Sequence, residues 1–213
     1  GETTMVLGTI QSACSSVNWV MDLLGETDLG RFNAEAAAVG AGSGGVVYLP
    51  YLEGERSPIW DPRARGVFFG LGVDHGRGHF FRAVLEGVGF ALRSVVEALR
   101  EHQDFALLRI IGGGAESKLW REILASQFRM PLATLSVDAK DATSLGAALA
   151  AGVGVGLYPS LQEAVRVVSV QREIKGISEW EDFYDHAFSL YTSLYPSLKH
   201  CFGHAAEIRG LLS

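Results

Sequence analysis

The stretch LLRIIGGGAESKLWREILASQFRMPLATLSV, residues 107 to 137, decides how the fold is read. LLRII is an apolar run that reads as a strand and stops at three consecutive glycines, Gly112 to Gly114. Ser117 then opens a helix with Leu119, Trp120, Ile123, Leu124 and Phe128 on one side, and Pro131 stops it. PLATLSV is a second strand. DATSLGAALAAGVGVGLY, starting at Asp141, is a second helix capped by Asp141 or Thr143; its small residues suit close packing on a sheet or another helix. This strand-helix-strand-helix alternation implies an α/β domain, a mixed sheet flanked by helices.

Upstream, Val17, Val20, Met21 and Leu24 recur at helical spacing, with Gly25 as a stop. Residues 33 to 42 read as a second helix capped by Asn33, GGVVYLPYL as a buried strand, and GERSPIWDPRARG as a loop. The run VFFGLGVDHGRG leads into the strongest helix, with Phe81, Leu85, Val88, Leu92, Val95 and Leu99 along one face and an outward Arg93/Glu97 pair. Gly87 and Gly89 inside that helix each cost about 1 kcal/mol of propensity, which points to tight packing against a neighbour. From Trp180 an aromatic-rich helix runs until Pro196 disturbs it.

With 213 residues, 48% of them hydrophobic, the chain can bury the core of one large domain or two small ones. A net charge of −6 argues against a nucleic-acid partner, while small anions remain suited to helix N-termini. No stretch is apolar for long enough to span a membrane, and the start lacks the pattern of a signal peptide. Two distant cysteines, Cys14 and Cys201, make no disulfide framework, so a cytoplasmic protein is expected. The opening GETTMVLGTI runs straight into a helical pattern and reads as the interior of a longer chain.

Two nucleotide motifs fail on the glycine run. A dinucleotide fingerprint begun at Gly112 needs glycine where Ser117 stands; a P-loop needs the same glycine, and a hydroxyl where Leu119 stands. What survives is a strand end, three glycines that permit close approach to the backbone, and a helix start with free amides. That arrangement suits part of a nucleotide, or simply reverses the chain.

PYLEGERSPIWDPRARGVFFGL followed by GVDHGRGHFFRAVLEGVGFALR resembles a signature region of the FGGY family of carbohydrate kinases. The pattern includes Gly66, Gly70 and Leu71, then a gap to His79, Phe80, Ala83, Val84, Leu85 and Glu86. The GGGAESKLW and SLGAALAAG blocks follow in the family's order, GTIQSACSSVNWVMDLLG is similar to its preceding helix, and the likeness extends over about residues 5 to 160. The resemblance implies an actin-like, ribonuclease H-like ATPase fold. Residues 1–175 would form the C-terminal, nucleotide-binding domain and 176–213 a helical tail packed on it. By carry-over, Gly113, Gly114, Ala115, Ser117 and Lys118 face ATP, joined by Cys14 and Asn18 from the first helix.

The family's Asp-x-Gly-Thr phosphate loop, its catalytic aspartate in a Gly-Asp segment and its second phosphate hairpin are absent from these residues. The resemblance therefore implies no catalytic residue and no metal ligand here; magnesium is held through the missing half and the ATP phosphates, and this chain alone is inactive. The expected partners are ATP or ADP and, through the missing half, a sugar (xylulose first, then gluconate or glycerol), with a homodimer allowed. The rival readings are a non-catalytic nucleotide-binding module and, less well supported, a dehydrogenase domain.

Other groups have plainer readings. Glu53, Glu55, Arg56, Asp61 and Arg63 form a salt-bridged loop rather than an acid/base pair. Asp138 and Asp141 read as helix-start acids rather than magnesium ligands, and His79 as a cap or core contact. His200, Cys201 and His204 have metal spacing without a third strong ligand, and the four tryptophans pack the core or a domain interface.

Overall fold

The computed structural model describes residues 6–137 and 141–211. Its axis is α3 (Arg77–Arg100), buried on every side from Phe81 to Ala91. The apolar stripe anticipated one buried face; the structure buries the polar positions too. Arg82 donates to Glu86 at 2.6 Å and to the Tyr184 hydroxyl at 2.7 Å, and Glu86 also accepts from Gly42 N–H and Tyr184. Burial pushes the Glu86 carboxyl up from its ordinary range, against the pull of the Arg82 guanidinium.

Gly87 and Gly89 explain how neighbours reach α3 so closely. A Cβ at 87 would stand 2.2 Å from the Tyr48 carbonyl oxygen, and one at 89 would stand 1.8 Å from Gln127 Oε1. Two residues along a helix turn the face by roughly 200°. One glycine therefore admits β1 (Val47–Leu49) and the other α4 (Lys118–Phe128), on opposite sides.

β1 pairs antiparallel with β2 (Val67–Phe69), Tyr48 opposite Phe68. The sequence reading took VFF only as a lead into the helix; this short strand is half-exposed and lacks alternation. α1 (Cys14–Leu23) lies on α3 through Val17 and Val20, and its Trp19 stacks on Tyr48 and Phe68. α2 (Leu29–Val39) begins four residues before the expected start. Asp28, not Asn33, is its cap, accepting from the amides of Gly30 and Arg31, while Asn33 sits inside and donates to the Leu29 carbonyl.

A second sheet holds β3 (Leu108–Ile110) parallel to β4 (Leu132–Leu135), which pairs antiparallel with β5 (Val170–Ile174). β5 was not anticipated, because VQREI is a mostly exposed edge strand carrying charge. α5 (Ala142–Gly154) packs with α6 (Leu161–Ala164) and buries only Leu149 and Gly152. Asp141 holds the cap position of α5 without a side-chain cap bond; Asp138 lies outside the described residues.

α7 (Ser178–Leu211) runs through Pro196 rather than stopping there. The proline forfeits the amide bond to the Thr192 carbonyl, at a position where Thr192 is exposed. Tyr184, Phe188, Tyr191, Leu194 and Phe202 are buried along the helix, in one core with Val17, Phe32 and Trp120.

Candidate functional site

The glycine run leaves β3 at its C-terminal end and makes a single 3₁₀ turn, Gly113–Ala115, before α4 begins. Ala115 N–H donates to the Gly112 carbonyl at 2.9 Å, and Glu116 N–H to that of Gly113 at 3.1 Å. The three glycines stand there for different reasons. Gly112 has φ +88°, a left-handed conformation that disfavours a side chain. A Cβ on Gly114 would press on the Trp120 ring at 2.9 Å. At Gly113 a Cβ would meet nothing within 4 Å among the described residues, and its φ is outside the left-handed region, so none of them excludes a Cβ there.

Ser117 caps α4 by accepting from Trp120 N–H at 3.2 Å, and its own hydroxyl donates to Asn33 Oδ1 at 2.7 Å. The indole N–H of Trp120 donates to the Leu85 carbonyl, so turn and helix are bolted to α3. Lys118 is 80% exposed and pairs with Glu122 at 3.5 Å, one turn along α4. Beside the turn, at the C-terminal ends of the two parallel strands, a cavity of about 590 Å³ is lined by Ile110, Ala115, Glu116, Arg121, Thr134 and Ser136. Open α/β sheets bind ligands at that edge, and the volume is in the range of small-molecule sites. A second cavity of about 480 Å³ lies between the sheet and α5 and shares Ile111, Leu135 and Val137 with the first.

Arg121 was not singled out from the sequence. Its Nη1 donates to the Ala115 and Glu116 carbonyls, strapping the turn, and its Nε is buried without a partner among the described residues. Cys14 and Asn18 form a separate group one turn apart on the exposed side of α1. Through Trp19 their helix belongs to the Tyr48 side of α3, while the turn belongs to the α4 side.

The remaining residues have structural partners. His79 Nδ1 accepts from Gly76 N–H at 3.0 Å, closing the start of α3. Glu55 and Asp61 are held chiefly by main-chain amides and the Tyr195 hydroxyl rather than by the neighbouring arginines. Burial raises the Glu55 carboxyl above its ordinary value. Trp19 and Trp120 pack, Trp180 lies against the Arg82 guanidinium, and Trp60 stands largely in solvent. His200 Nε2 is 3.3 Å from Cys201 Sγ, and the His200 and His204 rings are 6.4 Å apart. Among the described residues no three metal-binding side chains gather, and no helix is long and apolar enough to cross a membrane.

Residues 2–155 match the C-terminal domain of the FGGY family of carbohydrate kinases. The chain belongs to that family. It is 29% identical over 201 residues to the xylulose kinase of Staphylococcus epidermidis, covering 93% of this chain and 40% of that protein. The ligand-bound xylulose kinase structure from Lactobacillus acidophilus superposes with a TM-score of 0.84 at 29% identity, over 92% of this chain and 40% of that one. The gluconate kinase structure from the same organism gives 0.82 at 28%, with the same coverage. This FGGY chain has the actin-like, ribonuclease H-like ATPase fold, and spans about 40% of the length of these relatives.

Proposed function

We propose that this chain is the nucleotide-binding half of a sugar kinase that transfers the γ-phosphoryl group of ATP to a carbohydrate hydroxyl. The observation that carries the reading is Gly113, where an added Cβ would meet nothing within 4 Å among the described residues, in the same turn as Ala115 and Glu116, which line a cavity of about 590 Å³. A backbone bare of side chain there lets a flat ring or ribose lie directly against the peptide plane. Xylulose is the favoured acceptor, because xylulose kinases recur among the relatives; gluconate and glycerol follow.

In this reading Gly113, Gly114 and Ala115 face the adenosine end of ATP, Arg121 keeps the turn in shape, and Ser117 and Lys118 flank it at the helix start. Cys14 and Asn18 meet the nucleotide from the α1 side when the two halves close. Magnesium travels with the ATP phosphates and is held by the rest of the protein, as is the group that takes the sugar's proton. These 213 residues alone then bind nucleotide without transferring phosphate. Closure of the two halves would exclude water from the transfer.

The test is a calorimetric titration of the chain with ATP, ADP and NAD. Binding of ATP and ADP in preference to NAD is expected. Preferential NAD binding would overturn the reading, as would no adenine-nucleotide binding even with the missing half supplied.

A further inference from the structure

A third cavity lies far from the glycine turn, between α3, α7 and the loop of residues 55–59. It encloses about 200 Å³. Exposed Pro58, Thr192 and Pro196 form its rim, and buried Tyr51, Glu55, Ala91 and Tyr191 its interior. Glu55 is only 5% exposed. Its Oε1 accepts from the amides of Gln11 and Arg56, both at 2.7 Å, while Oε2 is buried with no hydrogen-bond partner among the described residues. The groups that hold this carboxylate are main-chain amides, not a guanidinium or an ammonium. A carboxylate buried in that way lacks a cationic donor.

Three tyrosines line the same space. Tyr51 meets Tyr191 at 6.5 Å and 63°, and Tyr195 at 6.2 Å and 88°, so the rings wall the cavity from different directions. The Tyr51 and Tyr191 hydroxyls bond each other at 2.9 Å, and the Tyr195 hydroxyl donates to Asp61. Aromatic rings around one carboxylate attract organic cations through their negative faces. Pro58, Ile59, Ala91 and Pro196 add carbon to the lining, and the Ser94 and Thr192 hydroxyls on it already donate to the Phe90 and Ser189 carbonyls. With Glu55 as its one carboxylate, the lining falls short of the oxygen cage that calcium or magnesium takes, and it favours a charge carried on a hydrocarbon stem.

We propose that this cavity binds a primary alkylammonium group, its N–H donating to Glu55 Oε2 and its alkyl stem lying between the tyrosine rings. A primary ammonium suits the site better than a quaternary one, because the unpartnered oxygen needs a hydrogen-bond donor. The volume exceeds that of a cavity known to hold benzene, of about 150 Å³, and so takes a four-carbon stem. The chemistry is common to a free aliphatic amine and to the lysine side chain of a protein partner. It is independent of the nucleotide reading, since none of these residues borders the glycine turn.

The test titrates the chain, followed by NMR, with n-butylammonium, with 1-butanol and with a blocked Gly-Lys-Gly peptide. The ammonium is expected to bind at least about tenfold more tightly than the alcohol. Glu55→Gln, which keeps an acceptor for the Gln11 and Arg56 amides, is expected to lose about tenfold in ammonium affinity. Ala91→Leu, which adds bulk inside the cavity and leaves the Glu55 carboxyl in place, is expected to abolish binding. Peptide binding as tight as that of the amine supports a lysine side chain as the occupant; amine binding alone supports a free amine. No ammonium binding, equal binding of the alcohol, or both variants binding like the wild type would overturn the proposal. If Glu55→Gln fails to fold, the amine-alcohol ratio and Ala91→Leu still decide it.

Discussion

Ser117 joins two helices through one hydroxyl: it caps α4 at the Trp120 amide and donates to Asn33 of α2. Ser117→Ala is expected to destabilise the chain by about 1 kcal/mol or somewhat more, read from urea unfolding, since an N-cap and a side-chain bond are lost together. Glu26 does comparable work at the start of α2. The Asp28 amide, the Arg77 guanidinium and the Thr27 amide hold its carboxyl below the ordinary value of 4.5, against burial. A depressed carboxyl contributes stability that is complete above pH 4.5 and is lost as pH falls through its folded value. Glu26→Gln should therefore be less stable at neutral pH and lose less stability than the wild type between about pH 5 and about pH 3. An unchanged acid limb would contradict this. The sequence made Ser117 legible because cap and apolar run are adjacent; Glu26 was not, because Arg77 reaches it from 51 residues away.

At the scale of elements, α3 is where the sequence reading was both most and least complete. Its length, the Arg93/Glu97 pair at 2.8 Å and the two packing glycines all follow from local pattern. Burial of Arg82 and Glu86 does not, because it depends on Tyr184 of α7, roughly a hundred residues on. β5 and the Asp28 cap escaped for a related reason: an exposed charged edge strand has no alternation, and the first turn of α2 after Asp28 carries Gly30 and Arg31 between Leu29 and Phe32. The glycines also yield a graded prediction. A methyl at 87 meets a main-chain oxygen that cannot turn away, whereas one at 89 meets the end of the Gln127 side chain. Gly87→Ala is expected to cost about 3 kcal/mol, near the top of the overpacking range, and Gly89→Ala about 1 kcal/mol. Equal midpoints in urea would contradict the account of close β1 packing.

The whole molecule is organised around one continuous core from Val17 to Phe202, with α7 closing it across α3, α4 and β1. Removing residues 178–213 would uncover Phe90 and leave the Arg82 and Glu86 pair without Tyr184. The shortened chain is expected to lose its cooperative thermal transition; a sharp transition in differential scanning calorimetry would show that α7 is dispensable. Ser117 and Leu119 rule out both phosphate motifs, and the pattern of blocks across residues 5 to 160 made family and fold legible. The cavity beside the turn was not legible, since it needs β4, β5 and Arg121 brought to one edge. The central claim is that Gly113 is kept bare for a nucleotide, and Gly113→Val tests it most directly. The account predicts a variant with wild-type stability and at least about tenfold weaker ATP binding by calorimetry, because the side chain enters open space that the ligand needs. ATP bound equally well by both proteins would contradict it.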